Sequence, residues 1–69
     1  MNMERVASSN INAIGHDPAT NTLRIEFKGG GAYEYAGVPA AAHADLMAAD
    51  SKGQHFHQHI RGRFTHRKV

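Results

Sequence analysis

Seven residues limit the folds open to this chain more than any others. Thr22-Leu23-Arg24-Ile25-Glu26-Phe27-Lys28 alternates strictly, with Leu23, Ile25 and Phe27 on one side and Arg24, Glu26 and Lys28 on the other. A period of two belongs to a strand with one buried and one wet face, the antiparallel habit. Turn residues close it at both ends. Upstream, Asp17-Pro18-Ala19-Thr20-Asn21 has Asp at the first and Pro at the second position of a type I turn. Downstream, Gly29-Gly30-Gly31 leads into Ala32-Tyr33-Glu34-Tyr35. The run therefore predicts the middle strand of a three-stranded antiparallel meander.

Parity sets the faces of that meander, because a slip of one residue turns every side chain over. With residues 18–21 as a loop, His16 faces Leu23 and Ile14 faces Ile25. With residues 29–31 as a three-residue loop, Phe27 faces Tyr33 and Ile25 faces Tyr35. A two-residue glycine loop would set Ile25 against Glu34, an apolar–charged mismatch. Three-residue loops want a left-handed residue near their end, which glycine supplies. The predicted inner face carries Ile14, His16, Leu23, Ile25, Phe27, Tyr33 and Tyr35; the outer face carries Arg24, Glu26, Lys28 and Glu34.

After Val38-Pro39 the period becomes helical. A residue before proline is pushed out of the helical region, and proline suits the first position of a helix. Residues 39–49 are alanine-rich, with Ala42, Leu46 and Ala49 on one stripe and His43 beside it. Ser51 with Gln54 three residues on predicts a capped second helix. In it Phe56, Ile60 and Phe64 stack on one side, and Arg61, Gln54 and Gln58 face solvent. Gly53 would admit a close approach to the first helix, Gly62 would weaken the helix end, and residues 65–69 read as a basic tail. Residues 5–7 admit a short edge strand. The expected fold is α+β: a three-stranded antiparallel meander, with room for a fourth short N-terminal edge strand, followed by two helices packed on one face. Residues 1–69 form one domain, with its core over about 6–64.

At 69 residues and without cysteine, stability rests on a thin core or on a partner chain. Monomer and homodimer both fit. No apolar run approaches the roughly 20 residues of a membrane span. The start, Met1-Asn2-Met3-Glu4-Arg5, lacks a secretory pattern. A cytoplasmic residence is expected, and no membrane partner.

Net charge is only +2, yet it is lopsided. Residues 1–51 hold all six acids against Arg5, Arg24 and Lys28, a balance of −3; residues 52–69 hold Lys52, Arg61, Arg63, Arg67 and Lys68, a balance of +5. Such asymmetry points to a polyanion such as RNA, against the plainer reading of a solvated terminus. His55-x-His57-x-His59 invites a metal, but on a helix only His55 and His59 share a face, and two imidazoles make an incomplete site. No cofactor is expected. Catalytic signatures are missing: there is no Gly-x-Ser-x-Gly elbow or cysteine nucleophile, and the triple glycine precedes an aromatic strand where a phosphate cradle would precede a helix. Glu26 and Glu34, set opposite each other by the expected register, read as surface charges.

Several ordered points resemble the KTSC domain: Ser8-Ser9-Asn10-Ile11, Ile14-Gly15, Tyr33-Glu34-Tyr35 with Val38-Pro39, Leu46, Ser51-x-Gly53, Phe56 and Ile60-Arg61. That domain is named for its place at the C-terminus of some lysyl-tRNA synthetases and also stands alone. The resemblance implies RNA binding through the synthetase attachment, which could equally serve a protein contact. His16, His43, His55 and His57 depart from the tyrosine or asparagine the family would have there. Tyr33 and Tyr35 are the family's motif, and register arithmetic puts both rings in the core where a base-stacking platform would otherwise be sought. The expected phosphate-contacting residues are Lys52, Arg61, Arg63, Arg67 and Lys68. The alternative function is a protein–protein module, homodimeric or otherwise, anchored by Tyr33, Tyr35 or Phe64.

Overall fold

The computed structural model describes residues 1–69. Strands β1 (Met3–Arg5), β2 (Ile11–Asp17), β3 (Thr22–Phe27) and β4 (Gly31–Tyr35) precede helices α1 (Ala40–Ala48) and α2 (Lys52–His59), and a last strand β5 (His66–Lys68) follows. All neighbours are antiparallel, and the sheet order is β1-β2-β3-β4-β5. The α+β class and the two helices on one face are as the pattern predicts. The sheet is wider than the meander by a strand at each edge.

The middle hairpin follows from its turn residues. Thr20 N–H donates to Asp17 O at 3.3 Å and Ala19 N–H to Asp17 Oδ1 at 3.0 Å, closing the turn. Asn21 leaves it at φ 54, a left-handed conformation that asparagine tolerates. His16 then pairs with Leu23 and Ile14 with Ile25, as parity requires. The second hairpin differs by two residues from the expected register. Its loop is residues 28–30, so Gly31, at φ 81, faces Phe27, Tyr33 faces Ile25 and Tyr35 faces Leu23. A shift of two keeps every side chain on its face, so the inner and outer sets survive. The cross-strand partners change: Glu34 faces Arg24, and Glu26 faces Ala32.

Other expectations are corrected. The edge strand β1 lies at Met3–Arg5, two residues earlier than residues 5–7, and pairs Met3 with Gly15. It closes over the one β2 position without a side chain: a Cβ on Gly15 would stand 2.6 Å from Met3 Sδ and 2.9 Å from Asn2 O. Pro39 is the N-cap of α1 and not its first residue, extended at ψ 160. The expected basic tail is strand β5. Phe56 O accepts from Ile60 and Arg61 N–H, each at 2.9 Å, which ends α2. Gly62 turns the chain at φ 80, and Ala36 N–H meets Thr65 O at 2.8 Å. Residues 66–68 then satisfy the open edge of β4.

The core is Ile11, Ile14, Leu23, Ile25, Tyr35, Val38, Leu46, Phe56 and Ile60, with Val6, Phe27, Tyr33, Ala42, Met47 and Phe64 packed against it. Burying each such large side chain is worth roughly 1.5–3 kcal/mol. An irregularity between Ile11 and Ala13 lets Ile11 join this face. Phe64 packs from the turn after α2, since the helix ends at His59. Ser51 caps α2 as expected, its Oγ accepting from Gln54 N–H at 3.3 Å. Gly53 faces the segment before β2 and not α1: Asn10 Nδ2 lies 3.7 Å from where its Cβ would be. No helix is long and apolar enough to cross a membrane.

Candidate functional site

Between the C-terminal end of α2 and the β4–β5 side of the sheet a groove of about 350 Å³ opens. Strand parity sends Phe27, Tyr33 and Tyr35 to the inner face, and His66 joins them because it pairs with Tyr35. Helix periodicity adds Phe56 and, at its end, His57 and Arg61; Asn10 reaches in from the segment before β2.

Five of these rings form a closed circuit. Phe27 meets Tyr33 at 5.9 Å, Tyr33 meets His66 at 6.0 Å, and His66 meets Tyr35 at 5.4 Å. Tyr35 meets Phe56 at 5.4 Å, and Phe56 returns to Phe27 at 5.5 Å. The contacts among Phe27, Tyr33, Tyr35 and Phe56 are edge-to-face at 67–76°, the arrangement the ring quadrupole favours. Tyr35 is buried and Tyr33 half-buried, so both belong to the core, and both also line the groove.

The polar rim is one-sided in charge. The groove lining includes no carboxylate. Arg61 donates to His57 Nδ1 at 3.2 Å, which fixes its head at the mouth. Burial pushes the Tyr35 phenol above its ordinary 10.0, Tyr33 adding to this and the Arg61 charge opposing it. Asn10 is held by its backbone: its N–H donates to Ser8 Oγ at 3.3 Å, and its carbonyl accepts from Lys28 N–H at 2.9 Å. Its Oδ1 accepts from Ser9 Oγ at 3.1 Å.

The five cations named from sequence do not form one patch. Arg61 is on the groove. Lys68 pairs with Tyr33 across β5–β4, on the same face as His66. Arg63 holds the end of α2, its Nε donating to Gln58 O at 3.4 Å. Lys52 is turned inward along the chain, its Nζ donating to Ala49 O at 3.2 Å. Arg67 points to the opposite face of the sheet, where it and Arg24 both bind Glu34, Arg67 at 3.1 Å. First the Arg24 and then the Arg67 hydrogen bond hold the Glu34 carboxyl below its usual 4.5. Asn10, Phe27, Phe56, His57 and His66 complete the site. His66 has no signal in the sequence because β5 has none; Asn10 lies in the Ser8-Ser9-Asn10 run.

A second cleft of about 520 Å³ lies at the β1–β2 side, lined by Asn2, Met3, Glu4, Ile14, His16, His43, Ala44 and Met47. His16 Nε2–H donates to Val38 O at 2.7 Å, and the His43 ring stacks on it at 5.0 Å and 11°. Burial and then the His16 charge lower the His43 pKa below 6.5, with Glu4 opposing. On α2, His55 and His59 come within 4.5 Å, with no group of three His, Cys, Asp or Glu able to hold a metal.

Fold and groove together define a small α+β module with an aromatic, cation-rimmed recess. The KTSC domain model matches residues 7–64, and the chain belongs to the KTSC domain family. It is 44% identical to a KTSC domain protein from Yersinia pestis in a crystal structure, with a TM-score of 0.97 over 99% of this chain and 96% of that one. It is 43% identical over 59 residues to a lysine–tRNA ligase of Nostoc sp., covering 86% of this chain but only 10% of the ligase. A match of 43% over 58 residues to an uncharacterized protein of Stutzerimonas stutzeri covers 81% and 82% of the two chains. The chain thus spans about a tenth of the ligases it resembles and most of the length of other relatives.

Proposed function

We propose that this domain is a non-catalytic, cytoplasmic RNA-binding accessory module whose phosphate contacts come from the end of α2 and from β5. The observation that carries this reading is the absence of any carboxylate from a groove whose mouth holds Arg61, His57 and His66, with Lys68 on the same face. Glu34, the acid next to Tyr33 and Tyr35, is on the far face with Arg24 and Arg67. Phosphate contacts of this kind supply affinity and no sequence information. Similarity to the ligase segment supports an RNA setting. The protein–protein alternative has less to work with: Tyr33, Tyr35 and Phe64 are buried or half-buried, and the large hydrophobics that are exposed, Met1 and Val69, sit at the chain ends.

The test is an electrophoretic shift series across salt with the Arg61→Glu/Arg63→Glu double variant. Retention of RNA at low salt should be lost. Undiminished binding by a folded double variant would sink the reading.

A further inference from the structure

We infer that the aromatic groove receives one unpaired nucleotide of a single-stranded RNA, its base against the ring circuit and its phosphate at Arg61. This rests on the RNA-binding reading and names what that site takes. Phosphate contacts alone need only an exposed cationic surface, and this site is a recess.

The recess has features that narrow its occupant. Its floor is aromatic, a closed circuit through Phe27, Tyr33, His66, Tyr35 and Phe56 with neighbouring centroids 5.4–6.0 Å apart. A ring of aromatics can serve a quaternary ammonium ion or a flat π-system. Charge decides between them. With the Arg61 guanidinium at the mouth, His57 beside it and no carboxylate in the lining, a cation would be repelled and an anion attracted. The occupant is therefore flat and carries negative charge. Its edge is polar as well, because the wall offers groups that the protein leaves unengaged. Neither phenol oxygen of Tyr33 and Tyr35 bonds within the protein, yet no buried side-chain polar atom lacks a partner, so both are open to solvent. Asn10, also on the wall, accepts from Ser9 through Oδ1 and makes no hydrogen bond through Nδ2. A planar body, a polar edge and an attached anion together describe a nucleotide. A duplex keeps its bases stacked and paired, so only an unpaired one can enter. The volume of about 350 Å³ lies at the low end of small-molecule sites, suited to one base and not to several.

The experiment compares a short single-stranded RNA with the same sequence as a blunt duplex, by fluorescence anisotropy on the whole chain at low salt. A second arm records amide chemical shifts of the wild-type protein with adenosine monophosphate and with ribose 5-phosphate. The single strand should bind more tightly than the duplex. Tyr33→Leu, which keeps apolar volume, should lower single-strand affinity about 5- to 150-fold and leave the duplex unchanged. Adenosine monophosphate should move the amides of Tyr33, His57 and His66 where ribose 5-phosphate does not. Equal binding of strand and duplex, with no shift from the mononucleotide, overturns the base site and leaves the phosphate reading standing. Failure of both RNAs to bind at low salt overturns both. Mononucleotide binding without strand binding overturns the RNA reading and the commitment to a strand with it.

Discussion

The inner face of the sheet has two halves, and they are finished differently. Under α1, an alanine-rich helix lies on β2, Leu46 is fully buried, and the two imidazoles of His16 and His43 stack face to face. Under α2 the rings meet edge to face, and a recess remains where the helix ends and the chain turns at Gly62 toward β5. Both halves carry histidine beside apolar side chains. In the first, His16 satisfies a backbone carbonyl, Val38 O, and His43 closes on it. In the second, His57 and His66 stand exposed at an opening that has only positive or neutral polar groups. The same residue type therefore stacks in pairs over a backbone carbonyl in one half, beside the cleft that Glu4 also lines, and rims a carboxylate-free groove in the other. What separates them is the neighbouring helix: α1 brings His43 and the buried Leu46 to the sheet, while α2 brings Phe56 into the ring circuit and His57 to the groove.

Leu46→Ala is the hardest blow to the α1 half. It should destabilise the domain by about 2–5 kcal/mol, because a well-packed site cannot collapse around the cavity. Urea unfolding measures this, and a loss under 1 kcal/mol would mean that α1 is not seated as described. Ser51→Ala removes the cap of α2 and should cost about 1 kcal/mol. Its hydrogen exchange should speed up along α2 and leave the β2–α1 half protected; uniform loosening would break the distinction between the halves.

Two arginines sharpen the contrast between the groove and the far face. Arg61→Ala should flatten the salt dependence of RNA binding by about one unit of slope. Arg67→Ala should leave the slope unchanged, since Arg67 is held by Glu34 on the opposite face. Equal effects would show that the sheet's two faces do not divide binding as proposed.

The smallest effect is a pH dependence confined to the α1 half. In the folded chain His43 lies below 6.5, held there by burial and then by His16 from β2, with Glu4 of β1 opposing. The unfolded chain therefore binds more protons in that window, and stability rises with pH through it. The contribution is complete above 6.5 and is lost as pH falls through the folded value. Urea midpoints at pH 7.5 and 5.5 should differ less for His43→Gln than for wild type. Glu34 titrates lower, below its usual 4.5, and stays clear of this range.

Much of this molecule can be read without coordinates, and the legible part is local. Alternation over residues 22–28 sets the faces; the Asp17-Pro18 turn sets the β2–β3 register; Ser51 announces α2. Parity put Tyr33 and Tyr35 on the inner face correctly even though the second hairpin pairs two residues away from the expected register, because an even shift preserves faces. That shift still had a consequence: it brought Arg24 opposite Glu34, and Arg67 completes the cluster from β5. Arg67 and Lys68 are neighbours in sequence and read alike there, yet a strand sends them to opposite faces. Lys52 reads as a free cation and is bonded to a carbonyl three residues back.

The sequence alone determined which side chains of β2, β3 and β4 are inward and where the first hairpin turns, since periods of two and 3.6 and turn residues act within a few positions. Tertiary structure decided where the basic end goes and which cations stay available. Strand β5 has no apolar pattern of its own; all three of its residues are exposed, and it forms because β4 offers an open edge within reach of the Gly62 turn. That pairing carries His66 beside Tyr35, closes the ring circuit, and makes a recess of five segments that lie far apart along the chain.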